Sequence, residues 1–280
     1  NVLEDIIRLI LIIIGVPIFI NKGLEVAVTF VILSNIISEL SSILVLFFFL
    51  PKNLTIKKQD LAFNKFYAKE AMSISIPSTA SRLIGSFGYF LEPIILTSTL
   101  TYVGYSSNFI ITEYGIISGF VMPLLLLPSF FTLAISQALL PIISKATSNK
   151  HYDYAKKKLK QGIFISLLIG VPASLALFLF PEFFLQIIYN TTEGASYIRF
   201  LAPICILQYI QAPLSACLDA MGLTRLGLKA TIAGTLIRTI FLLIFSLLKI
   251  GMWGLIFSTS LNVIFTTFYN LYQVKTSLKK

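Results

Sequence analysis

The stretch "FISLLIGVPASLALFLF", residues 164–180, contains no charged side chain. Its apolar residues do not alternate with polar ones as a transmembrane barrel strand would require, so it reads as a helix. "SILVLFFFL", residues 42–50, reads the same way. In lipid each backbone N–H and C=O must find its partner within the protein, which restricts spanning structures to helices and closed barrels. A span needs about 20 predominantly apolar residues. Working outward, runs of that kind recur along the chain and predict eight helices, at 3–20, 24–50, 71–99, 114–140, 162–180, 195–220, 226–247 and 251–274. The expected fold class is all-α, a polytopic transmembrane helix bundle. Composition agrees: 56% of the residues are hydrophobic and 12% charged, with a mean hydropathy of +0.88, against about 25% charged in a soluble domain. No stretch is left over for a sizeable soluble domain.

The net charge of +10 is unevenly placed. Lys and Arg number five in 51–70, six in 143–161, two in 221–229 and three in 273–280, whereas the alternate loops hold only Lys22 and Lys249. This is a positive-inside pattern, and with eight spans it puts both ends of the chain on the cytoplasmic side of a plasma membrane. Orientation and attraction to anionic membrane lipids account for the basic excess, and no nucleic-acid partner is expected. Two inside stretches, "KKQDLAFNKFYAKEAM" and "KHYDYAKKKLKQG", mix aromatics with lysines at near-helical spacing and are expected to lie as amphipathic helices on the inner surface. No cleavable signal peptide is evident. Residue 1 is Asn, so a fragment or processed chain is expected.

Several chemistries find no residues. His151 is the single histidine, and with two separated cysteines it forms no cluster at metal-ligand spacing. Cys205 and Cys217 share one expected helix, about 18 Å apart along its axis, too far for a disulfide. No phosphate-binding Gly-Lys-Ser/Thr loop and no GxSxG elbow occur. "GLTRLG", residues 222–227, reads as a turn between two helices. The expected outer loops offer few acids, so an enzyme is disfavoured, and no cofactor or metal is expected.

The informative polar groups lie inside the spans. In "SRLIGSFGYFLEPIIL", residues 81–96, Ser81, Gly85, Gly88 and Glu92 fall on one helical stripe. Arg82, Ser86, Tyr89 and Pro93 adjoin it, and Leu83, Phe87, Phe90 and Ile94 face the other way, giving a polar wedge and a lipid face. Arg82 and Glu92 are about 15 Å apart along the axis, so each needs another partner or water. Thr231, Thr235 and Arg238 share a face of the seventh span, with Arg238 near its middle. Gln208, Gln211 and Ser215 share one in the sixth, where Arg199 near the outer end can snorkel, and Asn35, Glu39 and Ser42 share one in the second. Ser, Thr and Gln stripes often serve interhelical packing alone. Intramembrane charges generally face a bundle interior or a water-filled cavity. The expected substrate pathway therefore comprises Arg82, Glu92, Arg238, Gln208, Gln211, Glu39 and Arg199. Prolines at 77, 93, 123, 128, 172, 203 and 213 interrupt the spans, as suits a rocking transporter, although kinks also occur in static bundles.

"SIPSTASRLIGSFGYFLEPIIL", then "YGIISGFVMPLLLLPSFFTLAISQALLPIISKA", "LLIGVPASLALFLFPEFFLQIIY" and the "LDAMGLTRLGLKA" turn, are collinear with the second half of the SpoVB-like polysaccharide biosynthesis proteins and resemble it. These belong to the MOP flippase superfamily, with the MATE exporters and the lipid II flippase MurJ. The resemblance implies two six-helix lobes with substrate passing between them. On that basis residues 1–50 look like the last two helices of the N-terminal lobe, 51–70 like a cytoplasmic basic linker, and 71–280 like the C-terminal six-helix lobe. The remainder of the N-terminal lobe, needed for function, is then missing from this chain. The family's arginine-lined cavity favours a cationic role for Arg82 and Arg238.

Three readings follow. A flippase for an anionic undecaprenyl-pyrophosphate-linked sugar wants a cationic cavity. A MATE-type cation or drug antiporter wants acids and aromatics, with coupling to H+ or Na+ left open. A cell-envelope enzyme or scaffold would instead depend on outer-loop acids such as Glu182 or Glu193. The arginines favour the flippase.

Overall fold

The computed structural model describes residues 2–49 and 65–278. Every element among them is helical. The chain divides into two units, Asn1–Asn64 and Lys65–Lys280. The first is a helical hairpin, α1 (Val2–Phe19) and α2 (Leu24–Phe49), joined by a 3-10 turn, Ile20–Lys22. Gly23, at φ +121°, supplies the backbone shape that lets α2 turn back. Arg8 pairs with Glu4 and Asp5 on its own helix and donates to Asn35 Oδ1 of α2 at 3.4 Å.

The second unit holds α3 (Lys65–Val103), α4 (Ser107–Ile116), a π-helical turn (Ile117–Val121), α5 (Met122–Leu126), α6 (Ser129–Ser148), α7 (Tyr152–Leu179), α8 (Pro181–Tyr189), α9 (Ala195–Ala220), α10 (Thr224–Leu247) and α11 (Trp253–Ser277). Packing runs from α3 to α10, α11, α9 and α7, with α6 against both α7 and α9. Two apolar clusters bracket the bundle. One gathers Leu96, Ile110, Val121, Leu185, Ile198 and Leu255, and the other, at the lysine-rich end, gathers Ile143, Leu159, Leu214, Leu218 and Val274.

Seven segments among the described residues are long and apolar enough to cross a membrane. Where the sequence reading put one span at 114–140, the chain has Ser107–Leu126 and Ser129–Ser148, each qualifying by itself. Pro128, which has no N–H to continue the ladder, sits at the break between them. Leu127 is held there by a short-range bond to the Leu124 carbonyl. Neither α1 nor α11 qualifies, because α1 carries Glu4, Asp5 and Arg8 and the Ser, Thr, Asn and Tyr residues of α11 lower its mean hydropathy. The basic stretch 150–162 is not a separate surface helix either. It supplies the first turns of α7, with Ala155 and Leu159 buried and Lys156, Lys157 and Lys160 exposed. The first half of the companion stretch 57–72 lies outside the described residues, and from Lys65 it forms the first turns of α3.

Small residues let the spans approach. The buried stripe of α7 is Ala155, Leu159, Gly162, Ser166, Gly170, Ser174 and Leu177, and lipid-embedded helices associate through such faces. Gly170 meets the ring of Tyr209 on α9, and a Cβ there would collide with it. Tyr209 is fully buried, and its hydroxyl donates to the Leu125 carbonyl at 2.8 Å, next to the Pro128 break. A side chain from α9 thus satisfies a backbone acceptor beside the break. Tyr209→Phe should lower stability by about 1–3 kcal/mol, the cost of leaving a buried acceptor unsatisfied. Hydrogen exchange should then accelerate first around residues 125–131, whereas uniform protection would show that the break needs no such support.

Candidate functional site

Polar residues of α3, α9, α10 and α11 converge on one another. They line a cavity of about 260 Å³ built from α3, α5, α9, α10 and α11. On α3 the wedge expected from sequence is present: Ser81, Gly85 and Gly88 are partly buried, Glu92 is buried, and Leu83, Phe87, Phe90 and Ile94 are exposed. Close approach to α10 explains the small residues. Ser81 and Thr231 share a hydrogen bond of 2.8 Å, and a Cβ at Gly88 would collide with Thr235.

This interlock brings Glu92 to Arg238. Both are buried, and they form an ion pair through Glu92 Oε2 and Arg238 Nη2. Tyr114 of α4 donates its hydroxyl to Glu92 Oε1 at 3.4 Å. The Arg238 guanidinium lies over the Tyr89 ring, 4.5 Å from its centroid, within cation–π range. Its Nε has no hydrogen-bond partner among the described residues. Gln208 and Gln211 face the cavity from α9, and Asn262 and Thr266 from α11.

Depth follows from helix rise. Counted from Val103, Glu92 lies about 16 Å along α3, and counted from Leu247, Arg238 lies about 13 Å along α10. In a hydrocarbon layer about 30 Å thick both are near the middle. An arginine there is costly unless paired or solvated, and Glu92 is the pairing it has.

Of the seven residues expected along a substrate pathway, Glu92, Arg238, Gln208 and Gln211 line this one cavity. Arg82 does not. It is exposed, about 31 Å from Val103 along α3, and its charge acts on Asp219 at the lysine-rich end of α9. Arg199 is exposed and pairs with Glu182 at 2.9 Å, tying α9 to α8. Glu39 is exposed in the first unit. Tyr114 and Asn262 were absent from the sequence reading, and Tyr89 figured in it only as a neighbour of the wedge. Among the described residues no group of three or more His, Cys, Asp or Glu side chains could hold a metal ion.

Comparison with known proteins bears on the whole bundle. The MatE family model matches residues 86–244, and the model described as "Polysaccharide biosynthesis protein" matches residues 1–147. Stage V sporulation protein B of Bacillus subtilis (strain 168) is 34% identical over 244 residues, covering 85% of this chain and 47% of that protein. Sporulation protein YkvU of the same strain is 29% identical over 157 residues, covering 56% of this chain and 35% of that one. The chain thus spans about half, or less, of the length of these relatives. Among solved structures, a MATE protein in its bent conformation superposes with a TM-score of 0.75 at 19% identity, over 99% of this chain and 60% of that one. The inward-facing form of a multidrug resistance MATE family transporter of the MOP superfamily gives 0.73 at 18% identity, over 99% and 63%. The likeness extends the fold assignment beyond the residues that either family model matches alone. The chain belongs to the MatE and polysaccharide biosynthesis protein families and is a multi-pass membrane protein.

Proposed function

We propose that the whole protein is a flippase that translocates an anionic undecaprenyl-pyrophosphate-linked sugar by alternating access. The observation that carries this reading is Arg238, a buried cation near mid-membrane on the wall of a cavity. A guanidinium presents five N–H donors in a planar fork that matches phosphate oxygens. Gln208, Gln211 and Asn262 add neutral amides suited to sugar hydroxyls and phosphate oxygens. The "Polysaccharide biosynthesis protein" description of the family model supports a saccharide cargo.

In this reading the second unit is one lobe and the first unit the end of another. The headgroup enters from the cytoplasmic side of the bacterial plasma membrane and meets Arg238, the two lobes of the whole protein alternating access to it. It leaves outward after they rock, while the lipid tail stays in the bilayer. Both lobes are required, because one lobe cannot alternate access by itself. No cofactor or catalytic step is invoked.

A second reading, a cation antiporter, draws support from the Tyr89, Tyr114 and Glu92 grouping and from the MATE fold. Against it, Glu92 is already neutralised by Arg238, so a positively charged drug meets no spare anion, and this also removes the obvious carboxylate for H+ or Na+ coupling. The two are separated by vesicles containing the full-length protein, assayed in parallel for a fluorescent undecaprenyl-pyrophosphate sugar and for an organic cation. Sugar-lipid movement without cation uptake is expected, and cation uptake alone would transfer the assignment to the antiporter. Movement of neither would revive the enzyme or scaffold.

A further inference from the structure

We infer that Glu92 is an internal counter-anion: it occupies on Arg238 the place taken by the substrate's phosphate groups, and substrate binding exchanges one anion for the other. The inference rests on the anionic-substrate reading above.

Four features support the exchange. First, Arg238 is under-used, since a guanidinium has five donors and here Nη2 meets Glu92 while Nε meets nothing among the described residues. Second, the cover on its face is movable, because the Tyr89 ring that lies over the guanidinium is itself 60% exposed. Third, Glu92 keeps a donor when it lets go, the Tyr114 hydroxyl on its other oxygen. Fourth, the helix is loosened beside it. Pro93 has no N–H to give the Tyr89 carbonyl, so the backbone at Glu92 lacks one rung of its ladder. The α3–α10 contact is meanwhile fastened elsewhere, through Ser81, Gly88, Thr231 and Thr235. The ion pair can therefore open without parting the helices.

Chemistry sets the selectivity of such a device. A monocarboxylate offers Arg238 no more than Glu92 already does. A diphosphate brings more oxygens and more charge, and can engage the guanidinium in a bidentate manner while reaching its unused donor. An organic cation finds no unpaired acid in this cavity among the described residues. Glu92 would thus act as a threshold that admits multivalent phosphate and returns to Arg238 on release, resetting the empty site.

The test is binding of undecaprenyl pyrophosphate to the full-length protein, read as ligand-induced thermal stabilisation. Glu92→Gln removes the competitor and should tighten binding about tenfold, in keeping with the coupling seen for close charge pairs. Tyr114→Phe withdraws the donor that receives the displaced carboxylate and should weaken binding about threefold, roughly the effect of one hydrogen bond. A purely structural Glu92 would make Glu92→Gln weaken binding too, which overturns the inference while leaving Arg238 as the anion site. Glu92→Gln/Arg238→Gln should abolish binding. Parental affinity in that double variant would remove the anionic reading itself and the inference with it. If Glu92→Gln does not fold, Tyr114→Phe decides alone, and unchanged or tighter binding counts against the exchange.

Discussion

Arg238→Gln is expected to lower the unfolding free energy by about 3–5 kcal/mol, because it strands Glu92 as an uncompensated buried charge. The loss should exceed what the contact contributes. Two ions taken out of water are costly, and their attraction returns much of that only while both are present. Replacing both at once should therefore be far milder. Glu92→Gln/Arg238→Gln, which leaves two neutral amides in the cavity wall, should recover most of the stability lost in the single variant. The measurement is chemical unfolding in detergent, completed as a double-mutant cycle with Glu92→Gln. Equal stability of Arg238→Gln and the parent would mean that the two side chains are solvated independently and that the pair has no structural weight.

Gly170→Ala should cost about 1–3 kcal/mol through overpacking, although it adds only a methyl group. The ring of Tyr209 is already against the Gly170 backbone and has nowhere to go, since it is fully buried and tied through its hydroxyl to the Leu125 carbonyl. Moving the ring breaks that bond, so the damage should spread from the α7–α9 contact to the break at Pro128. Tyr209→Phe acts on the same hydroxyl. The two substitutions together should cost less than the sum of their separate effects. Strict additivity in thermal unfolding would show that the ring tolerates the methyl group without disturbing the break.

The polar wedge of α3 was legible because Ser81, Gly85, Gly88 and Glu92 repeat at helical spacing, and their burial follows that repeat residue by residue. Arg238 was legible as a charge in mid-span. Their partnership was not, since 146 positions separate them and nothing in one helix names the helix it packs on. Arg82 and Arg238 looked alike in sequence. They differ because α3 begins at Lys65 and runs far past the bilayer thickness, leaving Arg82 about a full hydrocarbon layer from Val103. Tyr114 was hidden at the edge of the expected span 114–140, whose true start is Ser107. The π turn directly after it shifts the helical register by a residue, so period counting from the later apolar run loses its facing. The helix α8 escaped because nine residues are too few to show a clear period.

The separation of fold from charge in the ion pair makes one assay the most direct test. Translocation of a fluorescent undecaprenyl-pyrophosphate sugar should be measured in vesicles for the parent and for Glu92→Gln/Arg238→Gln, after confirming equal insertion and folding. The double variant has no net charge change in the cavity, so the account predicts that it folds and yet moves sugar-lipid at least a hundredfold more slowly, as loss of a buried charge-assisted contact implies. Translocation at the parental rate would contradict the claim that Arg238 receives the anionic headgroup.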